Sequence, residues 1–450
     1  MIRKIKSGIT ALLISSLLTG CNFMQSPMEL LKQPSMDVSQ AEMKRAAEQF
    51  LPTGSQFTIP LKPSGTGSFR QADLDGDGSK ELLAFYKNLQ AGYEMGALIL
   101  KKEDGKWQLQ DHIKGLGQSI DYGDLQDVTG DKKPELLVGW SGADGYEKEL
   151  EIYSFQDKKA KRIGQYTYNS FSTGDLDEDG KAELAVLFRN NKEIPSAELH
   201  LYQAVSGELK QTAKLEYEGG YPAGVVIGQA SKDRKGIFVD IGEGAHSAVT
   251  QLVFLENNTL RNVFSQSRTF KPYSLPSEDV DKDGVMEIGI MYEPPGTEQM
   301  AMAEIPWVNR WYKWDGKDGL LPVLEEYSNY IFGYRFIIPQ NWIGKFTVKE
   351  IEDNPEKGVE FDYIGKGKMP LAKLLTLHIV PQNKWQEQEK EFKKSQAPYI
   401  VLGEKGQMVF VGVFPEKENK LSGKPLQEYQ ELLLKQEQVK EQFEFISSPY

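Results

Sequence analysis

Residues 73–86 read Asp-Leu-Asp-Gly-Asp-Gly-Ser-Lys-Glu followed by Leu-Leu-Ala-Phe-Tyr, and the pattern returns three times along the chain. At 127–140 it is Asp-Val-Thr-Gly-Asp-Lys-Lys-Pro-Glu before Leu-Leu-Val-Gly-Trp. At 175–188 it is Asp-Leu-Asp-Glu-Asp-Gly-Lys-Ala-Glu before Leu-Ala-Val-Leu-Phe, and at 279–292 Asp-Val-Asp-Lys-Asp-Gly-Val-Met-Glu before Ile-Gly-Ile-Met-Tyr. The four starts are 54, 48 and 104 residues apart. The last gap is two spacings, so one unit is hidden in it. Gly228–Gly236, ahead of the apolar run Ile237-Phe238-Val239, stands where that unit's loop belongs and has lost the acidic side chains. Self-similarity at a fixed period means a repeat architecture, here five units of about 50 residues.

Each unit has room for four strands. In the second they fall at Gln118–Tyr122, Leu136–Trp140, Leu150–Phe155 and Arg162–Tyr166. Short apolar runs separated by Gly, Asn and Asp turns are an all-β signature, and charged tips such as Lys102–Lys106 read as hairpin turns. A four-stranded sheet repeated radially is a propeller blade. The uniformly apolar run after each acidic loop fits an inner strand buried on both faces. The expected fold class is therefore mainly β: a β-propeller of about five four-stranded blades over residues 57–326, followed by a smaller α+β domain over 327–450.

Carboxylates at positions 1, 3 and 5 of a tight loop converge on a point, and the acid at position 9 closes the shell. Such hard oxygen donors suit Ca²⁺ better than Mg²⁺, which keeps its waters, or Zn²⁺, which prefers nitrogen and sulfur. An EF-hand starts the same way but needs a bidentate Glu at position 12 and flanking helices. Position 12 is Ala84, Val138, Val186 or Ile290, each inside a β-type run, so these are not EF-hands.

Asp-x-Asp-x-Asp-Gly-x-x-Glu ahead of an apolar strand, at this spacing, resembles the FG-GAP/VCBS-type repeats of integrin-like β-propellers. The resemblance implies Ca²⁺ as cofactor, in loops on one face, and a role in adhesion or ligand recognition. It implies three complete sites: Asp73, Asp75, Asp77 and Glu81; Asp175, Asp177, Asp179 and Glu183; Asp279, Asp281, Asp283 and Glu287. Ser79, Lys181 and Val285 would add backbone carbonyls. The second unit departs from the pattern. Asp127, Asp131 and Glu135 remain, but Thr129 replaces an acid and Lys132 replaces the glycine, which makes it a weaker ligand set. The fourth is expected to hold no ion.

The chain has 450 residues, with 53 basic and 65 acidic side chains and a formal charge of −12, which argues against a nucleic-acid partner. A single cysteine excludes an intramolecular disulfide. Arg3, Lys4 and Lys6 precede the apolar stretch Ile9–Leu18, which is too short to span a bilayer. It ends in Leu18-Thr19-Gly20-Cys21, which resembles the bacterial lipobox. Cys21 is thus the expected lipidation site, residues 1–21 a lipoprotein signal peptide, and residues 22–56 a tether with a short helix. The expected location is the bacterial cell envelope, lipid-anchored on the outer side of the cytoplasmic membrane, extracellular or periplasmic.

Asp37 or Ser39 can cap a helix through Phe50, ended by Pro52 and Gly54. Beyond Tyr327 the sequence predicts strands over Tyr330–Trp342, Leu374–Val380 and Gln407–Val413, and helices over Trp385–Lys394 and Leu426–Gln442. Tyr334–Trp342 is loosely similar to the start of PsbP-like α/β sandwiches, which identifies no chemistry. The aromatic stretch Trp307–Trp314, with three tryptophans, could line a sugar surface, but Trp307, Trp311 and Tyr312 are expected to pack in the last blade. His246-Ser247 lacks the geometry and the flanking glycines of a nucleophile and base. No catalytic residue is assigned. The expected function is a non-catalytic, calcium-binding surface module that recognises a protein or glycan. The rivals are a polysaccharide-acting enzyme on the same scaffold, and an envelope assembly or sensor subunit acting through the C-terminal domain.

Overall fold

A computed structural model of the chain describes residues 38–88, 90, 92–142, 147–156, 159–351, 357–395, 397–416 and 421–446. The signal segment, Cys21 and residues 22–37 of the tether lie outside the described residues. Mainly antiparallel β-structure fills the rest, as three four-stranded and three five-stranded sheets among the described residues. Among the described residues no helix is long and apolar enough to cross a membrane.

The repeat units are sheets in which sequence neighbours are spatial neighbours. Unit two pairs Ser119–Gln126, Glu135–Ser141, Lys148–Gln156 and Lys159–Tyr168 in that order. Units three and four repeat the scheme over Ser170–Glu218 and Tyr221–Asn262. Unit one adds the short strand Gln56–Phe57 to a sheet running from Phe69 to Leu116. The apolar run after each loop is the second strand of its sheet in units one to four and the first in unit five. In unit one, Leu82 through Tyr86 are all at most 1% exposed, which a strand achieves only when both faces are covered.

What covers those faces follows from strand alternation. Leu83 and Phe85 pack with Leu136, Val138 and Trp140 of unit two, whereas Leu82, Ala84 and Tyr86 pack with Ala46 and Ala47 of the helix Val38–Glu48. Leu137 and Ile152 of unit two meet Leu184 and Val186 of unit three. Ala185 and Leu187 then meet Ile237, Val239 and Ile241 of unit four, and Phe238 and Leu252 meet Ile288 of unit five. Each such side chain contributes roughly 1.5–3 kcal/mol by leaving water. The sheets thus stand in a row, one to five, and the helix covers the free face of the first.

The C-terminal region covers the last. The fifth sheet runs Ile288–Tyr292, Val308–Trp314, Leu320–Asn329, then Tyr334–Ile337 and, from the far end of the chain, Phe443–Phe445. The strand from Leu320 crosses position 327 without a break. Val308 and Tyr327 of this sheet share one core with Phe336, Trp342, Phe361 and Phe410. A further sheet, ordered Phe346–Ile351, Lys357–Tyr363, Ala372–Pro381, Met408–Val413 and Tyr399–Lys405, is backed by Trp385–Ser395.

Three local expectations need correction. The helix expected over Leu426–Gln442 is two helices, Gly423–Leu432 and Gln436–Gln442. Leu433 is extended (φ −65°, ψ 128°), and the last carbonyls of the first helix accept from Trp342 Nε1 (2.7 Å, to Leu432) and Asn341 Nδ2 (2.9 Å, to Glu431) instead of continuing the helix. Within Tyr330–Trp342 only Tyr334–Ile337 is strand; beyond Pro339, a 3₁₀ turn forms at Gln340–Trp342. In unit four the nine-residue loop is absent: Tyr221–Ser231 and Arg234–Gly244 form a hairpin joined by Lys232 and Asp233 alone.

Candidate metal centre

The four acidic loops share one backbone. Position 4 is left-handed in all of them: Gly76 (φ 77°), Gly130 (76°), Glu178 (62°) and Lys282 (60°). So is position 6: Gly78 (86°), Lys132 (69°), Gly180 (87°) and Gly284 (89°). The two kinks turn the chain tightly enough for its carboxylates to face inward. Sequence reading singled out only position 6 as needing glycine. Lys132 carries the strain that a Cβ brings there. Lys132→Gly is expected to stabilise the protein by about 0.5–1 kcal/mol, with Glu178→Gly similar, measured by urea unfolding.

The hydrogen bonds repeat as well. The position-9 glutamate accepts from the position-2 amide: Leu74 N to Glu81 Oε2 at 2.8 Å, Val128 to Glu135 at 2.9 Å, Leu176 to Glu183 at 2.6 Å and Val280 to Glu287 at 2.8 Å. The position-1 aspartate accepts from the position-6 amide, as Gly78 N to Asp73 Oδ2 at 2.9 Å and Gly284 N to Asp279 Oδ2 at 2.9 Å. The amides of Ser79, Lys133, Lys181 and Val285 donate to the position-5 aspartates at 2.9–3.0 Å. In units one, three and five position 9 shapes the loop with Oε2, whereas position 1 engages both oxygens in units one, two and five, Oδ1 taking the Gly76, Gly130 and Asp283 amides; Asp175 alone bonds through Oδ2 only.

Three loops bring carboxylate oxygens together within 4.8 Å of one another. In unit five all four expected residues converge, Asp279, Asp281, Asp283 and Glu287. In units one and three the convergent sets are Asp73, Asp75 and Glu81, and Asp175, Asp177 and Glu183. Asp77 and Asp179 stand aside, each against a lysine: Asp77 Oδ2 is 2.6 Å from Lys101 Nζ, and Asp179 Oδ2 is 3.0 Å from Lys181 Nζ. Lys181 was expected to offer only a carbonyl, but its side chain also takes part. The second loop is closed on itself. Glu135 Oε1 accepts from the Thr129 hydroxyl at 3.1 Å, and its Oε2 also takes the Thr129 amide at 3.3 Å.

Burial raises Glu135, Glu183 and Glu287 at position 9. Glu135 and Glu287 are pushed up to about 7, and Glu183 is raised as well, since a buried carboxylate is costly without a cation. The shape of the Asp175 loop fits a cation well. Asp175 Oδ1 is buried and has no hydrogen-bond partner, a debt that a metal ion would settle. Oxygen-only donors on a rigid turn are the ligand chemistry of a hard divalent cation.

Successive loops touch along one edge of the row. Lys133 Nζ donates to the Asp75 carbonyl at 3.0 Å, and Lys235 Nζ to the Asp175 carbonyl at 2.7 Å. A Cβ on Gly130 would lie 2.4 Å from Lys181 Cδ, and Met286 N donates to the Gln229 carbonyl at 2.8 Å. Elsewhere, Ser247 Oγ donates to Glu243 at 3.3 Å while the His246 ring meets Tyr273 edge-on. Trp311 is buried at 1% exposure, and Trp307 Nε1 donates to the Met302 carbonyl. A cleft of about 660 Å³ between the 295–306 segment and strand Phe346–Ile351 is lined by Met300, Met369, Lys349 and Glu350 and by none of the loop acids.

No family model matches the chain, and no curated protein matches it. Solved structures that are similar include a Bacillus licheniformis rhamnogalacturonan lyase of the PL11 type, at 14% identity and a TM-score of 0.33, over 70% of this chain and 60% of the lyase. A Lactobacillus plantarum protein is similar at 8% identity and a TM-score of 0.30, over 71% of this chain and 95% of that one. The exotype rhamnogalacturonan lyase YesX follows at 12% and 0.25, over 67% and 61%. The chain thus spans about 60% of the first lyase's length.

Proposed function

We propose that this chain is a non-catalytic surface lipoprotein, tethered through Cys21 in a bacterial cell envelope, whose row of sheets presents a calcium-stiffened edge to a protein or glycan ligand. The observation that carries the reading is the shared turn: four loops with the same two left-handed residues and the same internal hydrogen bonds, three of them gathering carboxylates. The sheets act as propeller-type blades in this reading, supported by their common strand order and successive face-to-face packing. The FG-GAP/VCBS resemblance of the loops points the same way. Calcium neutralises acids that burial has made costly and fixes the edge on which recognition residues ride. The C-terminal sheet, sharing a core with the fifth unit, covers the end of the row.

Extracellular calcium modules bind with dissociation constants of roughly 10⁻⁴–10⁻³ M. Adding 10 mM calcium to the EGTA-treated protein should then raise its unfolding free energy by about 1.4–2.7 kcal/mol. Glu183→Gln keeps an acceptor for the Leu176 amide but removes the charge, and should abolish most of that gain in a thermal scan. Binding to envelope proteins and glycans with and without EGTA tests the recognition half. Calcium-independent stability together with turnover of a polysaccharide would overturn the proposal.

A further inference from the structure

The residue that faces each loop from the neighbouring strand was not visible as part of the site. In every unit the first residue of the apolar run pairs with a residue on the strand that follows it: Leu82 with Leu100, Leu136 with Tyr153, Leu184 with Tyr202, Ile237 with Val253 and Ile288 with Tyr312. The next residue along that strand is Lys101, Ser154, Gln203, Phe254 and Lys313 in units one to five, and Lys101, Gln203 and Lys313 reach the acids of their loops.

Lys101 Nζ lies 2.7 Å from Asp75 Oδ2, 2.6 Å from Asp77 Oδ2 and 3.0 Å from Glu81 Oε1, with its side chain 8% exposed. Lys313 Nζ lies 2.7 Å from Asp281, 2.6 Å from Asp283 and 3.3 Å from Glu287. An ammonium has three donors, and each lysine aims them at the carboxylates of positions 3, 5 and 9. Glu81 Oε1 and Glu287 Oε1 make no other contact than these ion pairs. The ammonium stands where the convergent oxygens would place a metal ion, and a dication cannot enter beside it without severe repulsion.

Unit three has a glutamine, not a lysine, at this position. Gln203 Nε2 donates to Asp177 Oδ2 at 3.0 Å; Lys181 pairs with Asp179 and Lys235 takes the Asp175 backbone carbonyl, so among the described residues no ammonium is paired with the Asp175 or Glu183 carboxylate. A half-turn of the Gln203 amide presents Oε1 instead, a neutral oxygen ligand of the kind calcium accepts. Unit four has dispensed with the acids and the long loop together. Phe254 fills the facing position under the Arg234 guanidinium, 3.5 Å from the ring centroid.

We propose that Lys101 and Lys313 are built-in cations that replace the metal ion in the loops of units one and five. Those loops then keep their shape at any calcium concentration. The calcium response belongs to the Asp175 loop, with Gln203 as an added ligand. This assignment rests on the calcium reading of the loops given above.

The test is calcium titration of the full-length chain by isothermal calorimetry, with thermal unfolding in EGTA alongside. The wild type should bind one calcium per chain. Lys101→Met and Lys313→Met should each lose stability in EGTA, regain it with calcium, and add one site per substitution. Gln203→Lys should weaken calcium binding at least tenfold while raising the melting temperature in EGTA. Lys101→Gln serves where the methionine variant does not fold. Three equivalent sites in the wild type would overturn the proposal, as would lysine variants that lose stability without gaining a site. If the wild type binds none but each lysine variant gains one, the built-in cations stand and the calcium reading of the Asp175 loop falls.

Discussion

Replacing Asp240 by alanine is expected to cost about 3–5 kcal/mol, among the largest losses any single change in the repeat region should produce. Asp240 lies on the second strand of unit four, at a position where unit three has Leu187. It is 4% exposed and faces Lys271, which is fully buried. The Lys271 ammonium sits 3.4 Å from Asp240 Oδ1 and donates to Thr250 Oγ1 at 2.7 Å and to the Leu275 carbonyl at 2.5 Å. Asp240 also accepts from the Thr250 hydroxyl and from the Ser277 amide at 3.1 Å. This network pins the connection between units four and five to the fourth sheet. Burial lowers the Lys271 pKa, so the alanine variant leaves an ammonium with no counter-charge in a site that already disfavours it. Changing both residues to apolar ones, Asp240→Leu with Lys271→Met, should recover most of the loss, because the buried pair itself is close to neutral in net energy. Urea unfolding of the single and double variants measures both numbers. A double variant as unstable as Asp240→Ala would show that shape, not charge, is what the pair supplies.

Phe361→Ala should cost a similar amount, about 3–5 kcal/mol, and its consequence is cooperative as well as local. Phe361 is fully buried, with ring centroids 5.1 Å from Phe336, 5.8 Å from Trp342 and 6.1 Å from Tyr327. Tyr327 belongs to the third strand of the fifth repeat sheet, and Phe361 to the C-terminal sheet. The cavity therefore opens between the last repeat and the element that covers it. The expected result in calorimetry is an earlier transition that takes unit five down with the C-terminal sheet. A separate early transition of the C-terminal sheet alone, leaving the repeat signal unmoved, would contradict it.

The repeat was legible because it is written locally. An apolar run such as Leu82–Tyr86 reports two covered faces without reference to any distant residue, and the Asp and Glu spacing reports a turn. The strands of unit two fall within a few residues of where the pattern places them. What the sequence did not reveal is what crosses between strands. Lys101 is 20 residues beyond Glu81, at the end of a run that reads simply as apolar. Only the pairing of Leu82 with Leu100 carries it to the loop. The useful signal would have been a lysine at the same offset in the strand that follows the apolar run in units one and five, and its absence in unit three. The unit-four hairpin was misread for a related reason: losing the acids removes the need for the nine-residue turn, and a two-residue connection takes its place. The break at Leu433 was hidden because its cause, the Trp342 indole bonding to Leu432, lies 90 residues away.

The central claim is that the Asp175 loop holds a calcium ion. Anomalous diffraction at a long wavelength, from crystals of the chain grown in several millimolar calcium, tests it most directly. A peak enclosed by the Asp175, Asp177 and Glu183 carboxylates, with the Gln203 amide turned toward it, is the result expected. A loop with the same turn and a flat anomalous map at its centre would contradict it.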